Sequence, residues 1–129
     1  MSEKFTVEII SPERSIIKTH TSEVTIPSFE GEMGILKDHI PLITFLRPGL
    51  IIIKGEEEKK YYVEDGTVEF SKNSLLILTS TARDLKNFDK GVIENLISNA
   101  EKKLKDLNTT DKEKYLVSYE INTLKEINQ

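Results

Sequence analysis

The sequence contains no cysteine, which excludes disulfides and thiolate metal sites. Histidine is scarce: His20 and His39 are the two, and their spacing matches no zinc signature. Positive charge is in deficit, with 18 Lys and Arg against 22 Asp and Glu and a formal net charge of −4. Residues 1–84 carry all of that net charge, and residues 85–129 are neutral. Neither half is a basic surface, so nucleic acid is excluded as a partner. Long hydrophobic runs are missing too. The most apolar window, 40–53, is interrupted by Arg47, Pro48 and Gly49 and is too short to span a bilayer. The opening Met-Ser-Glu-Lys-Phe has neither a cleavable signal pattern nor an Arg-rich presequence. The expectation is a chain that stays in the compartment where it is made.

Catalytic signatures are equally absent. There is no Gly-x-Ser-x-Gly elbow. Gly49 and Gly55 lack phosphate-loop spacing, and no Gly-Lys-Ser/Thr follows them. Glu30 and Glu32 are close in sequence but share one short Gly-rich loop, whereas glycosidase pairs face each other across a cleft. His39, beside Asp38 and near Glu32, reads as an interface-packed histidine rather than a base or ligand. No cofactor is expected, and an interaction protein fits better than an enzyme.

What is present is strand pattern, then helix pattern. Residues 5–10 alternate apolar and polar, as a strand with one buried face should. Residues 15–20 form a second strand, and 23–27 a third with Val24 and Ile26 inward. Residues 42–46 and 50–54 flank Pro48-Gly49, a turn with Pro second and Gly third. Residues 50–53 are continuously apolar, which predicts cover on both faces. Residues 60–64, 67–71 and 74–79 read as a meander, turned at Asp65-Gly66 and at Lys72-Asn73. Many short strands separated by turn signals predict a sandwich or barrel.

After Ala82 the texture changes. Val92, Ile93, Leu96, Ile97, Ala100, Leu104 and Leu107 recur at helical spacing, with Asp89 as N-cap. Thr110-Asp111-Lys112-Glu113 reads as a capping box for a second helix, striped by Leu116, Val117, Ile121, Leu124 and Ile127. The short connection implies an antiparallel hairpin. The predicted class is an all-β sandwich over residues 1–84 followed by a two-helix hairpin over 85–129. Helices of this length are marginal alone in water, so their stripes must face each other, the sandwich or a partner. A weakly tethered hairpin is also a candidate for movement.

The stretch 30–49 carries the strongest motif. It reads Glu30-Gly31-Glu32-Met33-Gly34-Ile35, then His39-Ile40-Pro41-Leu42, then Pro48-Gly49. Gly31 and Gly34 are free to take φ > 0. In order and spacing this resembles the epsilon subunit of F-type rotary ATP synthases. Phe5 to Pro12, the Asp65-Gly66 turn and the helical tail extend the likeness over nearly the whole chain. Asp65 departs from the family, which usually has the first of two glycines there; Asp tolerates left-handed backbone.

The resemblance implies a bacterial-type, non-catalytic rotor subunit of the central stalk, peripheral on the cytoplasmic face of the inner membrane. It implies gamma and the c-ring as partners, and the alpha and beta subunits of the head through the hairpin. Glu30, Gly31, Glu32 and neighbouring His39 carry over as c-ring contacts, and Ser11, His39 and Thr44 as gamma contacts. The family's ATP motif on the hairpin survives only at Asp89, because Val92 stands at its arginine position. An apolar residue cannot supply the donors of Arg, so no useful ATP site is expected. The second helix offers Lys112, Lys114 and Lys125 among Asp111, Glu113, Glu120 and Glu126, so any inhibitory action of the hairpin is expected to be weak. The alternative is a free-standing carbohydrate-type module. Tyr61 and Tyr62, adjacent on a strand and hence on opposite faces, argue against its aromatic platform.

Overall fold

The structure, a computed structural model, describes residues 3–128. Ten strands form one sheet folded over on itself, followed by two helices. The strands are β1 (Phe5–Ile10), β2 (Ser15–Thr21), β3 (Glu23–Ser28), β4 (Gly31–Leu36), β5 (Leu42–Leu46), β6 (Gly49–Lys54), β7 (Lys59–Val63), β8 (Gly66–Ser71), β9 (Ser74–Leu78) and β10 (Arg83–Asp84). One layer runs β4-β3-β6-β7-β10 and the other β5-β8-β9-β1-β2. β3 joins them: Glu23, Val24 and Thr25 pair with β6, while Ser28 pairs with Leu46 of β5. β1 lies parallel to β9 and the other pairings are antiparallel. Alternation does the rest. Val7, Ile26, Ile51, Tyr61, Phe70 and Ile77 point between the layers and belong to one buried cluster.

Two turns differ from the sequence reading. Pro48-Gly49 does not close a hairpin, because β5 and β6 each pair with β3 instead. Gly49 has no positive φ, so the turn is not the predicted type. Glycine is needed there for space: a Cβ would lie 2.6 Å from Pro27 Cβ. Likewise β7 and β8 do not pair, and Asp65-Gly66 carries the chain from one layer to the other. Asp65 takes no left-handed backbone; Gly66 bears the demand at φ +148°. Period-2 patterning is the same for a hairpin and a layer crossing, which is why sequence could not separate them. Lys72-Asn73 is a hairpin turn as read, with φ 51° and 58°.

Helix α1 spans Lys90–Lys105 and α2 spans Asp111–Ile127. Asp89 caps α1 by accepting from the Gly91 N–H, and Thr110 with Glu113 forms the expected capping box. Asp106 ends α1, so Leu107 leaves the stripe and is 98% exposed. The hairpin's buried faces meet over Ala100, Val117 and Ile121. Its lower end, with Ile93 and Leu124, packs on Tyr62 and Leu50 of the β6/β7 face. That contact explains the continuous apolar run of β6, whose Ile51 and Ile53 point inward while Leu50 meets the helices. Each such buried Leu or Ile contributes about 1.5–3 kcal/mol.

Candidate functional site

The Glu-Gly-Glu segment is not a free loop. Phe29 and Glu30 make a tight turn, and Gly31 onward is strand β4, paired along its length with β3. Ser28, fully buried, donates its hydroxyl to the Gly31 carbonyl at 2.6 Å and pins the turn. Gly31 takes φ +131°, whereas Gly34 is an ordinary strand residue with no positive φ. Glu30 and Glu32 are both exposed. Glu32 faces outward beside Pro27, on the rim of a groove of about 530 Å³ under α2.

His39 is not their neighbour. It lies past the other end of β4, which at about 3.3 Å per residue puts it more than 15 Å from the acidic turn. There it is half-buried, with its ring edge-on to Phe70 at 5.9 Å. Asp38, at φ 66°, exchanges hydrogen bonds with the Asn73 side chain and ties this link to the β8–β9 turn.

Of the two other positions read as gamma-facing, Thr44 lies within β5 and Ser11 follows the end of β1, across β8 and β9 in the same layer. Thr44 itself points inward at 5% exposure. Its flanking residues Ile43 and Phe45 point outward, at 77% and 57%. Outward positions of a sheet are normally polar, so these are the informative ones. Register extends the apolar row across the layer: Phe45 faces Thr67, Thr67 faces Leu78, and Leu78 faces Ile10 of β1. Ser11 continues from Ile10 and makes a local bond to the Arg14 carbonyl. A groove of about 810 Å³ follows this row, lined by Ile10, Pro12, Phe29, Phe45 and Leu78, with Leu116 of α2 at its edge. Ile40, next to His39 in the link that leads into β5, is 74% exposed.

Sequence reasoning missed Ile43, Phe45, Phe29 and Leu78 as surface residues. The available signal was an apolar residue at every position of 42–46 except Thr44. It also missed Arg47, whose guanidinium lies 3.8 Å over the Tyr119 ring and donates to the Tyr115 hydroxyl at 3.3 Å. The four-residue spacing of those tyrosines on α2 was the clue. Tyr61 and Tyr62 are both buried, on opposite faces, which removes the platform a carbohydrate module would need. Burial raises both hydroxyls above their ordinary range. Asp89 spends its carboxylate on the α1 cap. Among the described residues no helix is long and apolar enough to cross a membrane.

Residues 4–84 match the family described as ATP synthase, Delta/Epsilon chain, beta-sandwich domain. The chain is 50% identical to the ATP synthase epsilon chain of Pelagibacter ubique (strain HTCC1062), covering 99% of this chain and 100% of that protein. It is 33% identical to the ATP synthase epsilon chain of Rhizobium meliloti (strain 1021), over 81% of this chain and 79% of the relative. In fold it is similar to a chain in the Euglena gracilis mitochondrial ATP synthase OSCP/F1/c-ring structure, with TM-score 0.81 and 20% identity over 98% of this chain and 82% of the other. A chain of the Tetrahymena thermophila mitochondrial ATP synthase central stalk and c-ring matches with TM-score 0.66 and 19% identity, covering 99% and 98%.

Proposed function

The chain belongs to the ATP synthase epsilon-chain family, and on that premise we propose that it is a non-catalytic rotor component of the central stalk. In this reading it couples ion flow through the c-ring to ATP synthesis in the head, from a peripheral position on the cytoplasmic face of a bacterial inner membrane. The exposed apolar row on β5 and β9 carries the proposal. Ile43, Phe45 and Leu78 are 77%, 57% and 45% exposed on a single sheet face, and a contiguous apolar patch of this kind marks a protein partner. Gamma is assigned to that face, between Ser11 at the groove and His39 at the far end, with Thr44 beneath it. Thr44 contributes through position and its neighbours through contact. The acidic turn at Glu30, Gly31 and Glu32 is assigned to the c-ring loops. Its charges are solvent-exposed and its backbone is held by Ser28, which suits a rigid polar contact.

A weak inhibitory role for the hairpin, through the alpha and beta subunits, accords with its charges. Lys125 is paired with Glu101 at 3.5 Å, which leaves Lys112 and Lys114 of the second helix among acidic neighbours.

Phe45→Glu together with Ile43→Glu tests the gamma assignment. Both side chains are exposed, so the circular dichroism spectrum should be unchanged. Association with gamma should fall by at least about 2 kcal/mol, roughly thirtyfold, because anchors at the centre of an interface dominate affinity. Undiminished co-purification with gamma would refute the assignment.

A further inference from the structure

The link between β7 and β8 forms part of the wall of the apolar groove, and Glu64 and Asp65 stand on it. They are the two charged residues in that wall. Among the described residues that line the groove there is no lysine, arginine or histidine. The backbone of both is fixed. Thr79 donates its hydroxyl to the Asp65 carbonyl at 2.6 Å, and the Glu64 N–H donates to the Thr81 hydroxyl at 2.9 Å. The two threonine hydroxyls are themselves hydrogen-bonded at 3.1 Å. Buried Tyr62 donates to Glu64 Oε2 at 3.2 Å and orients that carboxylate. Asp65 is exposed, at the position where the family usually has glycine. The turn does not call for an aspartate, because Gly66 carries the backbone demand of the link. Among the described residues neither carboxylate belongs to an ion pair.

We propose that the partner segment seated in this groove is amphipathic and cationic, with apolar side chains against Phe29, Phe45 and Leu78 and a lysine or arginine against Glu64 and Asp65. This rests on the assignment of gamma to that face, and adds what the contacting segment of gamma must carry.

Charge selects this occupant. A second copy of the chain would bring the net-negative residues 1–84 against an acidic wall, and like charges across an interface oppose association. A neutral apolar segment would cover the groove and leave two carboxylates partly desolvated without a partner, which lowers affinity. A cation at the same place satisfies both. Because the link is already held by Thr79 and Thr81, the carboxylates need little ordering when the partner arrives. Asp65 is exposed, so the charge contact belongs to the rim of the interface. There it acts on partner choice and association rate, and salt screens it, whereas the apolar contacts are not screened.

Two variants of the full chain, each measured for binding to gamma by surface plasmon resonance, test this. Glu64→Gln with Asp65→Asn removes both charges and keeps the shapes, and the amide oxygen still accepts the Tyr62 proton. Ile43→Ala with Phe45→Ala trims exposed apolar contacts and leaves the charges alone. Neutralising the acids should weaken binding about tenfold at about 0.1 M salt and leave it equal to wild type at about 1 M. The apolar variant should bind less tightly at both concentrations. Loss in the apolar variant with none in the neutralised one overturns the cationic segment and leaves gamma on this face. A loss in the neutralised variant that is the same at both concentrations also overturns it, because the carboxylates then act through structure and not charge. If neither variant loses binding, the assignment of gamma to the groove falls together with this inference.

Discussion

At the scale of single residues, close packing decides which glycines are needed. Gly66 combines φ +148° with a position where a Cβ would sit 2.5 Å from the Leu78 carbonyl oxygen. Gly31 has φ +131° but nothing within 4 Å of a built Cβ. Gly66→Ala should therefore destabilise the chain by about 2 kcal/mol or more, against about 1 kcal/mol for Gly31→Ala. Urea denaturation of the two variants checks the order, and equal losses would mean that the clash with Leu78 is negligible. Arg47 illustrates a different residue-scale effect. Its cation sits on an aromatic face and joins the β5–β6 corner to α2, in a contact of about 0.5–1 kcal/mol where exposed.

Among elements, the hairpin depends on the sandwich more than the sandwich depends on it. The core between the layers is closed by strands alone, whereas the helices bury only Ile93, Ala100, Val117, Ile121 and Leu124. Caps at Asp89 and Thr110 define where the helices start, at about 1 kcal/mol each, but caps do not build a core. We therefore propose residues 1–84 and 85–129 as separable units. A fragment of residues 1–84 should keep a β-type circular dichroism spectrum. It should also bind a hydrophobic dye, because Tyr62 and Leu50 lose their cover. A helical or molten spectrum would contradict the division, and a fragment that binds no dye would contradict the packing.

For the molecule within its complex, charge and geometry lead to two expectations. Glu32→Lys reverses an exposed charge on an ordered strand, so the fold should survive while coupling between head and membrane rotor weakens. Proton pumping by reconstituted enzyme, measured over a range of ionic strengths, is the check; pumping equal to wild type at every salt concentration would remove Glu32 from the contact. Deletion of residues 108–129 should raise ATP hydrolysis by the assembled complex only slightly. Extension of the hairpin gives up the apolar contacts of Leu124 and Ile93, and its exposed lysine pairs return about 0–1 kcal/mol each. A large, salt-sensitive release of activity would show a stronger brake than these charges supply.

Local chemistry was legible from the chain alone. Eight of the strands were visible in their alternation, whereas β4 read as a Gly-rich loop and the two-residue β10 left no pattern; the helix starts were visible in Asp89 and Thr110, the Lys72-Asn73 hairpin in its turn residues, and the family in the ordered motifs of residues 30–49. All of these depend on contacts within a few residues, so they leave periodic or positional marks in sequence. The tertiary structure alone decided which strands are neighbours. Asp65-Gly66 and Pro48-Gly49 look like hairpin turns but carry the chain between layers and around a corner, because partner choice depends on how the whole sheet folds over. The same global fact parts His39 from Glu32 and turns Thr44 inward while Ile43 and Phe45 face out. Sequence specifies which residues alternate along a strand, and only the closed sheet determines which alternate face reaches a partner.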